Sequence, residues 1–225
     1  MRFVFFDLDG TLIESTTAFR KLFVEVLGQN GVEIPLAKLE QVVISCWPWY
    51  ERAVVTHRGD ELAFWLGFNT EVCRAAGAGE RAEELGRAVT EAFRGRDRPN
   101  LYPDVIPCLD ALQARGHTLG IITARPDAER LLVLLGIRDR FRVVVDAFSS
   151  GLAKQDASSY HHALERAGLA PDGAVHVGDE IERDVLPARE AGMHAVLLDR
   201  ENRHPDTPFP RVQDLEAFTD WLATA

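Results

Sequence analysis

Two acidic stretches lie far apart in this chain of 225 residues: Asp7-Leu-Asp9-Gly10-Thr11 near the start, and Gly178-Asp179-Glu180-Ile-Glu-Arg-Asp184 late in the sequence. Between them stand Thr123, which follows Gly120-Ile121-Ile122, and Lys154 in a Gly-Leu-Ala-Lys loop. Carboxylates gathered at one place raise one another's pKa and repel unless a divalent cation sits among them. If Asp7, Asp9, Asp179 and Asp184 converge, the cluster itself predicts a metal. Magnesium suits it best, because that ion takes oxygen ligands, keeps several waters and is held by one or two carboxylates plus a substrate phosphate. A calcium loop is excluded, since its glycine belongs at the sixth position and Gly10 is the fourth residue from Asp7. A lysine would offset the acids, and a threonine hydroxyl would supply a hydrogen-bond donor. Each signal also has a plainer reading: a strand-ending turn, a strand threonine, a solvated lysine, an acidic helix N-terminus.

What favours the chemical reading is where these residues fall. Arg2 to Phe6 is a short apolar run that stops at Asp7, as a buried strand does on meeting a loop. Further on, Thr118–Ile122, Val143–Val145, Ala174–Val177 and Ala195–Leu198 are unbroken apolar runs. They alternate with helical patterns over Pro103–Gly116, Asp127–Leu135 and Ser158–Ala167, then another helix, with a last one at Asp214–Leu222. Continuous apolar strands alternating with helices predict an α/β fold, a doubly wound parallel sheet covered on both faces. Ligands of such sheets sit beyond the carboxyl ends of the strands, where Asp7, Asp9, Thr123, Lys154 and Asp179 all fall.

From Thr16 to Arg96 the pattern differs, with Phe19, Leu22, Phe23 and Val26 at helical spacing and no clear strand. The polar run Arg96-Asp97-Arg98-Pro99-Asn100 reads as a linker back to the alternating regime. The expected division is therefore a core of residues 1–15 and 97–225 and a helical insert of residues 16–96. Hydrophobic residues at 46% and charged residues at 27% are those of an ordinary globular chain, which excludes disordered and collagen-like classes. A net charge of -10 opposes nucleic acid and anionic membrane surfaces as partners. Cys46, Cys73 and Cys108 form no CxxC pair, so reduced thiols and a cytoplasmic location are expected. Oligomeric state leaves no mark on the sequence.

The order FDLDGTL, then IIT, then a lone lysine, then VGDEIERD, resembles the haloacid dehalogenase superfamily of phosphohydrolases and covers nearly the whole chain. The resemblance implies a Rossmann-like core with a cap inserted after the first motif. It matches Asp7 to a nucleophile that takes the phosphoryl group, and Asp9 to the acid that protonates the leaving alcohol and then activates water. It makes Thr123, the N–H of Ala124, Gly10 and Lys154 the phosphate cradle, although many members read Lys-Pro where this chain has Lys154-Gln155. Asp179 resembles the direct magnesium ligand, joined by Asp7 and the Asp9 carbonyl, with Asp184 in a supporting position and Glu180 as a further candidate. Thr11 is expected to fix the first turn through its hydroxyl.

True dehalogenases of the superfamily lack the second aspartate, because halide leaves unprotonated, so Asp9 indicates phosphoryl chemistry. The expected activity is magnesium-dependent hydrolysis of a small phosphorylated metabolite, phosphoglycolate phosphatase-like. A phosphomutase acting on a sugar phosphate has the same motifs, and a receiver-like phosphoacceptor switch shares some of them. The cap is where substrate choice usually lives. There Trp47, Trp49, Trp65, Tyr50, Phe64 and Phe68 read first as helix packing, and Arg52, His57 and Arg58 as solvated charges.

Overall fold

A computed structural model of the chain describes residues 3–94, 100–152, 154 and 156–224. The linker residues 96–99, and Arg2 and Gln155 beside their motifs, lie outside the described residues. Two compact units emerge, Met1–Glu14 with Pro99–Ala225, and Ser15–Arg98.

The first unit is built on one six-stranded parallel sheet. Its strands are β1 (Phe3–Phe6), β2 (Thr118–Ile122), β3 (Phe141–Val145), β4 (Ala174–Gly178), β5 (His194–Leu198) and β6 (Arg211–Val212), in spatial order β3-β2-β1-β4-β5-β6. Every residue of β1 and β4 is buried, as the unbroken apolar runs require of strands covered on both faces. Alternation then sorts the side chains. Val4 and Phe6 join Leu109, Leu112, Leu131 and Phe218 in one core, whereas Phe3 and Phe5 join Tyr160, Ala163, Leu164 and Ala188 in the other. The first core is closed by the helices Val105–Ala114, Ala128–Leu134 and Leu215–Thr224, and the second by Ala157–Ala167 and Leu186–Glu190.

Register decides what meets at the sheet's carboxyl edge. Phe6 is level with Ile121 on one side and Val177 on the other, so Asp7 emerges beside the ends of β2 and β4. Its N–H donates to Val177 O at 2.9 Å, and the Thr123 N–H donates to Val145 O at 2.9 Å. The doubly wound α/β sheet expected from the sequence is the one observed, with differences at element ends. β3 starts at Phe141, two residues before its unbroken apolar run, because the exposed Arg142 interrupts the pattern. A short helix, Ala147–Ser150, was not foreseen; Asp146 and Ser149 cap it reciprocally, side chain to backbone. The helix after β4 opens as a π-helical turn, Ile181–Val185. The two-residue β6 is too short to leave a pattern.

The second unit is helical among its described residues: Ser15–Gln29, Leu36–Ser45, Trp47–Thr56, Glu61–Ala75 and Ala82–Arg94. Its aromatic residues pack on one another, with Tyr50 edge-on to Phe64 and Phe68 at centroid distances of 4.8 and 5.2 Å. Gly86 lets two helices meet closely, since a Cβ there would lie 2.6 Å from Thr70 Cα. Arg52 and Arg58 are exposed. Among the described residues no helix is long and apolar enough to cross a membrane.

Candidate active site

The sheet edge brings together residues that are far apart in sequence. One carboxylate oxygen from each of Asp7, Asp179 and Asp184 falls within a group spanning at most 4.8 Å. The buried ammonium of Lys154 donates to Asp7 Oδ1 and lies 2.6 Å from Asp184 Oδ1. Asp184 also accepts from the Glu180 N–H at 3.0 Å and from His176 Nε2 at 2.9 Å. Both of its oxygens are thus already engaged by the protein.

Gly10 is required twice over. Its φ of +81° is the left-handed region that glycine tolerates, and a Cβ there would lie 2.5 Å from Asp179 Oδ2. The turn carrying Asp7 and Asp9 therefore closes onto the Asp179 carboxylate. The Thr11 hydroxyl does not fix this turn: it is buried with no hydrogen-bond partner among the described residues. The Thr11 carbonyl does the work instead, accepting from Arg200 Nη2 at 2.9 Å while that guanidinium grips Asp104 at 2.8 and 3.0 Å.

Electrostatics at the edge are unbalanced. Burial, only partly offset by Lys154, pushes Asp7 up to about 7, and burial with repulsion from Asp7, Asp184 and Glu180 raises Asp179 well above the usual carboxylate range. Burial would also raise Asp184, but the charge of Lys154 and the hydrogen bonds from His176 and Lys154 hold it below its ordinary value. Lys154 is raised: burial pulls it down, but Asp184 and Asp7 outweigh that. Burial holds His176 below its ordinary value, and since a carboxylate only accepts, Nε2 is the donor to Asp184. Lys154 thus offsets only part of the burial of Asp7 and Asp179, whose oxygens are the donor set a hard divalent cation prefers.

Other predicted residues are placed differently. The Asp9 carboxylate is turned onto Arg125, with Nη1 donating to Oδ1 at 2.9 Å. Glu180 is half exposed and pairs with Arg183 at 3.0 Å, outside the three-carboxylate group. Thr123, buried at the end of β2, accepts the Arg125 N–H at 3.2 Å through its hydroxyl oxygen, and Ala124 follows it at the strand end.

Sequence reasoning missed four participants. Arg125 and Asp127 come just after the motif threonine and were within reach of the strand-end rule. His176 was signalled as the one polar side chain inside an apolar strand. Asp199, the first polar residue after β5, accepts the N–H groups of Arg203 and His204 at 2.7 and 2.8 Å. The loop it holds carries Arg203 Nη2 to 3.4 Å from Asp179 Oδ2.

The haloacid dehalogenase-like hydrolase family model matches residues 1–192. The chain belongs to this family. The phosphoserine phosphatase of Thermus thermophilus is 33% identical over 245 residues, covering 96% of this chain and 96% of that protein. The phosphoglycolate phosphatase of Rhodospirillum rubrum is 28% identical over 225 residues, 97% of this chain and 90% of its own length. Among solved structures, a 2-haloacid dehalogenase from Pseudomonas syringae superposes with a TM-score of 0.67 at 27% identity, covering 100% of this chain and 99% of that one. Family membership makes this chain a hydrolase with a Rossmann-like core.

Proposed function

We propose that the chain is a phosphoric monoester hydrolase acting on a small phosphorylated metabolite in two steps through an aspartyl-phosphate at Asp7. The carrying observation is the buried Lys154, which joins Asp7 to Asp184 at the sheet's carboxyl edge beside Asp179. Lys154 and the donors at Thr123 and Ala124 hold the phosphoryl oxygens, so the substrate is oriented before bonds change. An Asp7 oxygen then attacks phosphorus while Asp9 gives its proton to the leaving alcohol. In the second step Asp9 takes a proton from water as it attacks the aspartyl-phosphate. Asp184, its oxygens committed to Lys154, His176 and the Glu180 N–H, positions Lys154.

Magnesium is the cation this donor set fits, held by Asp7 and Asp179 with the Asp9 carbonyl. When bound it would supply the charge that lets an anionic carboxylate approach an anionic phosphate. Asp9 favours phosphoryl over halide chemistry, since a halide needs no proton. The helical unit, read at sequence level as residues 16–96, is the substrate-selecting cap in this proposal.

The test is release of inorganic phosphate from a panel of phosphate esters, with magnesium and with chelator, by the wild type and Asp7→Asn. The variant keeps side-chain size and removes the nucleophile, so turnover should fall by roughly 10⁴-fold or more while the circular dichroism spectrum is retained. Turnover near the wild-type rate in Asp7→Asn refutes the assignment.

A further inference from the structure

Arg125 is held from behind. Its Nε lies 2.6 Å from Asp127 Oδ1 as an ion-pair contact and its Nη2 donates to Asp127 Oδ2 at 3.4 Å, so one edge of the planar guanidinium rests on a carboxylate that is itself buried. Arg130 Nη2 pairs with the same Asp127 at 2.9 Å and neutralises it further. This anchorage fixes the direction of the opposite nitrogen, Nη1, which reaches Asp9 Oδ1 at 2.9 Å. The Arg125–Asp9 pair faces solvent in part, with side-chain exposures of 20% and 30%, whereas the Asp127 side chain is 3% exposed. A reactant can therefore reach the front of the guanidinium but not its anchor.

We infer that Arg125 selects phosphomonoesters whose alcohol portion carries a carboxylate next to the ester carbon, trading its contact with Asp9 for one with that carboxylate. The inference rests on the reading of Asp9 as the group that protonates the leaving oxygen. In such an ester the leaving oxygen and the carboxylate oxygens are only roughly 3 Å apart, two single bonds and a carboxyl separating them. A substrate whose leaving oxygen lies at Asp9 thus brings its carboxylate to Nη1, where a carboxylate, that of Asp9, already sits. The exchange replaces like with like at the arginine. It also releases Asp9 Oδ1 to face the leaving oxygen, so binding the correct alcohol and freeing the proton-transfer group become one event. A neutral alcohol offers Nη1 at most an uncharged acceptor and leaves the Arg125–Asp9 contact in place. Lysine would lose the fixed direction, because its compact ammonium turns on a flexible stem and has no planar edge to rest on Asp127.

The experiment compares 2-phosphoglycolate with 2-hydroxyethyl phosphate, which has the same chain length and no carboxylate, in the wild type, Arg125→Met and Arg125→Lys. The wild type should favour the carboxylate ester in kcat/KM by roughly 10- to 100-fold, the range expected of one charged hydrogen bond. Arg125→Met should reduce that ratio at least about tenfold, and Arg125→Lys should lose most of it. Calorimetric binding of both esters to Asp7→Asn, with and without Arg125→Met, should show the same change in ratio without turnover. Should the Arg125 variants fail to fold, Asp127→Asn keeps the arginine and loosens its anchor, and its ratio should fall too. A wild type that hydrolyses both esters equally, or a ratio unmoved by these substitutions, overturns the inference and leaves the phosphatase reading standing. A wild type that hydrolyses and binds neither ester, nor any other in the panel, overturns both.

Discussion

Gly178 ends β4 with no room for a side chain. A Cβ there would lie 2.1 Å from Asp184 Cγ and 2.5 Å from each Asp184 oxygen. Strand propensity alone makes Gly178→Ala favourable, since glycine in a strand costs more backbone entropy than alanine. The structure reverses the sign. The obstructing atoms are the end of a side chain, which ordinarily swings aside at little cost, but Asp184 is buried and tied to Lys154 at 2.6 Å, His176 at 2.9 Å and the Glu180 N–H at 3.0 Å. Moving it far enough to clear a methyl group breaks these contacts and leaves Lys154 short of a partner. Breaking a buried pair costs about 3–5 kcal/mol. At 2–4 °C per kcal/mol for a chain of this size, Tm should fall by roughly 6–20 °C.

Thermal and urea unfolding of Gly178→Ala, Asp184→Ala and the double variant measure this directly. If the penalty runs through Asp184, adding Gly178→Ala to Asp184→Ala should cost less than about 1 kcal/mol, giving a coupling of about 2 kcal/mol or more. Gly28→Ala is the control, because its site in the helix Ser15–Gln29 has nothing within 4 Å; it should gain about 0.5–1 kcal/mol. A Gly178→Ala protein melting within about 2 °C of wild type, or an equal penalty in both backgrounds, would show that Asp184 is not pinned as described.

The folded-state pKa of Asp7, about 7, is above its ordinary 3.8, so its protonated form stabilises the fold at low pH and that stability is lost as pH rises through about 7. In chelator, the wild type should therefore lose stability relative to Asp7→Asn between pH 5 and 8 by urea unfolding, and magnesium should reduce the loss; parallel curves would contradict the burial of this carboxyl. Burial pushes the thiols of Cys73 and Cys108 up to about 12 and about 11, and all three cysteines are buried and unpaired in disulfides. A thiol-reactive dye should label the native protein slowly and all three sites after denaturation, and rapid native labelling of Cys73 or Cys108 would show the packing to be open.

Several features of this chain were readable from residue order. Runs such as Leu119–Ile122 are continuous because a strand covered on both faces takes a polar side chain only where it finds a partner, as His176 does, and the first polar residue after such a run marks the sheet's carboxyl edge. That reasoning reached Asp7, Thr123 and Asp179 and, with the loop lysine and the order of motifs, the family. It also anticipated that the aromatic residues around Tyr50 would pack on one another.

Pairing between distant residues was beyond it. Nothing within the sequence says that Lys154 meets Asp7 across 147 positions, or that Arg125 reaches back 116 positions to Asp9. Those meetings follow from the parallel order β3-β2-β1-β4, which brings the segments after all four strands to one edge. Burial, and with it the direction of each carboxyl's pKa, is likewise a property of the assembled edge. Residue types and spacing determined which groups are present and at which strand ends they stand. Only the folded sheet decided which carboxylate faces which cation, because electrostatic energy depends on separation and surroundings in space, not on order along the chain.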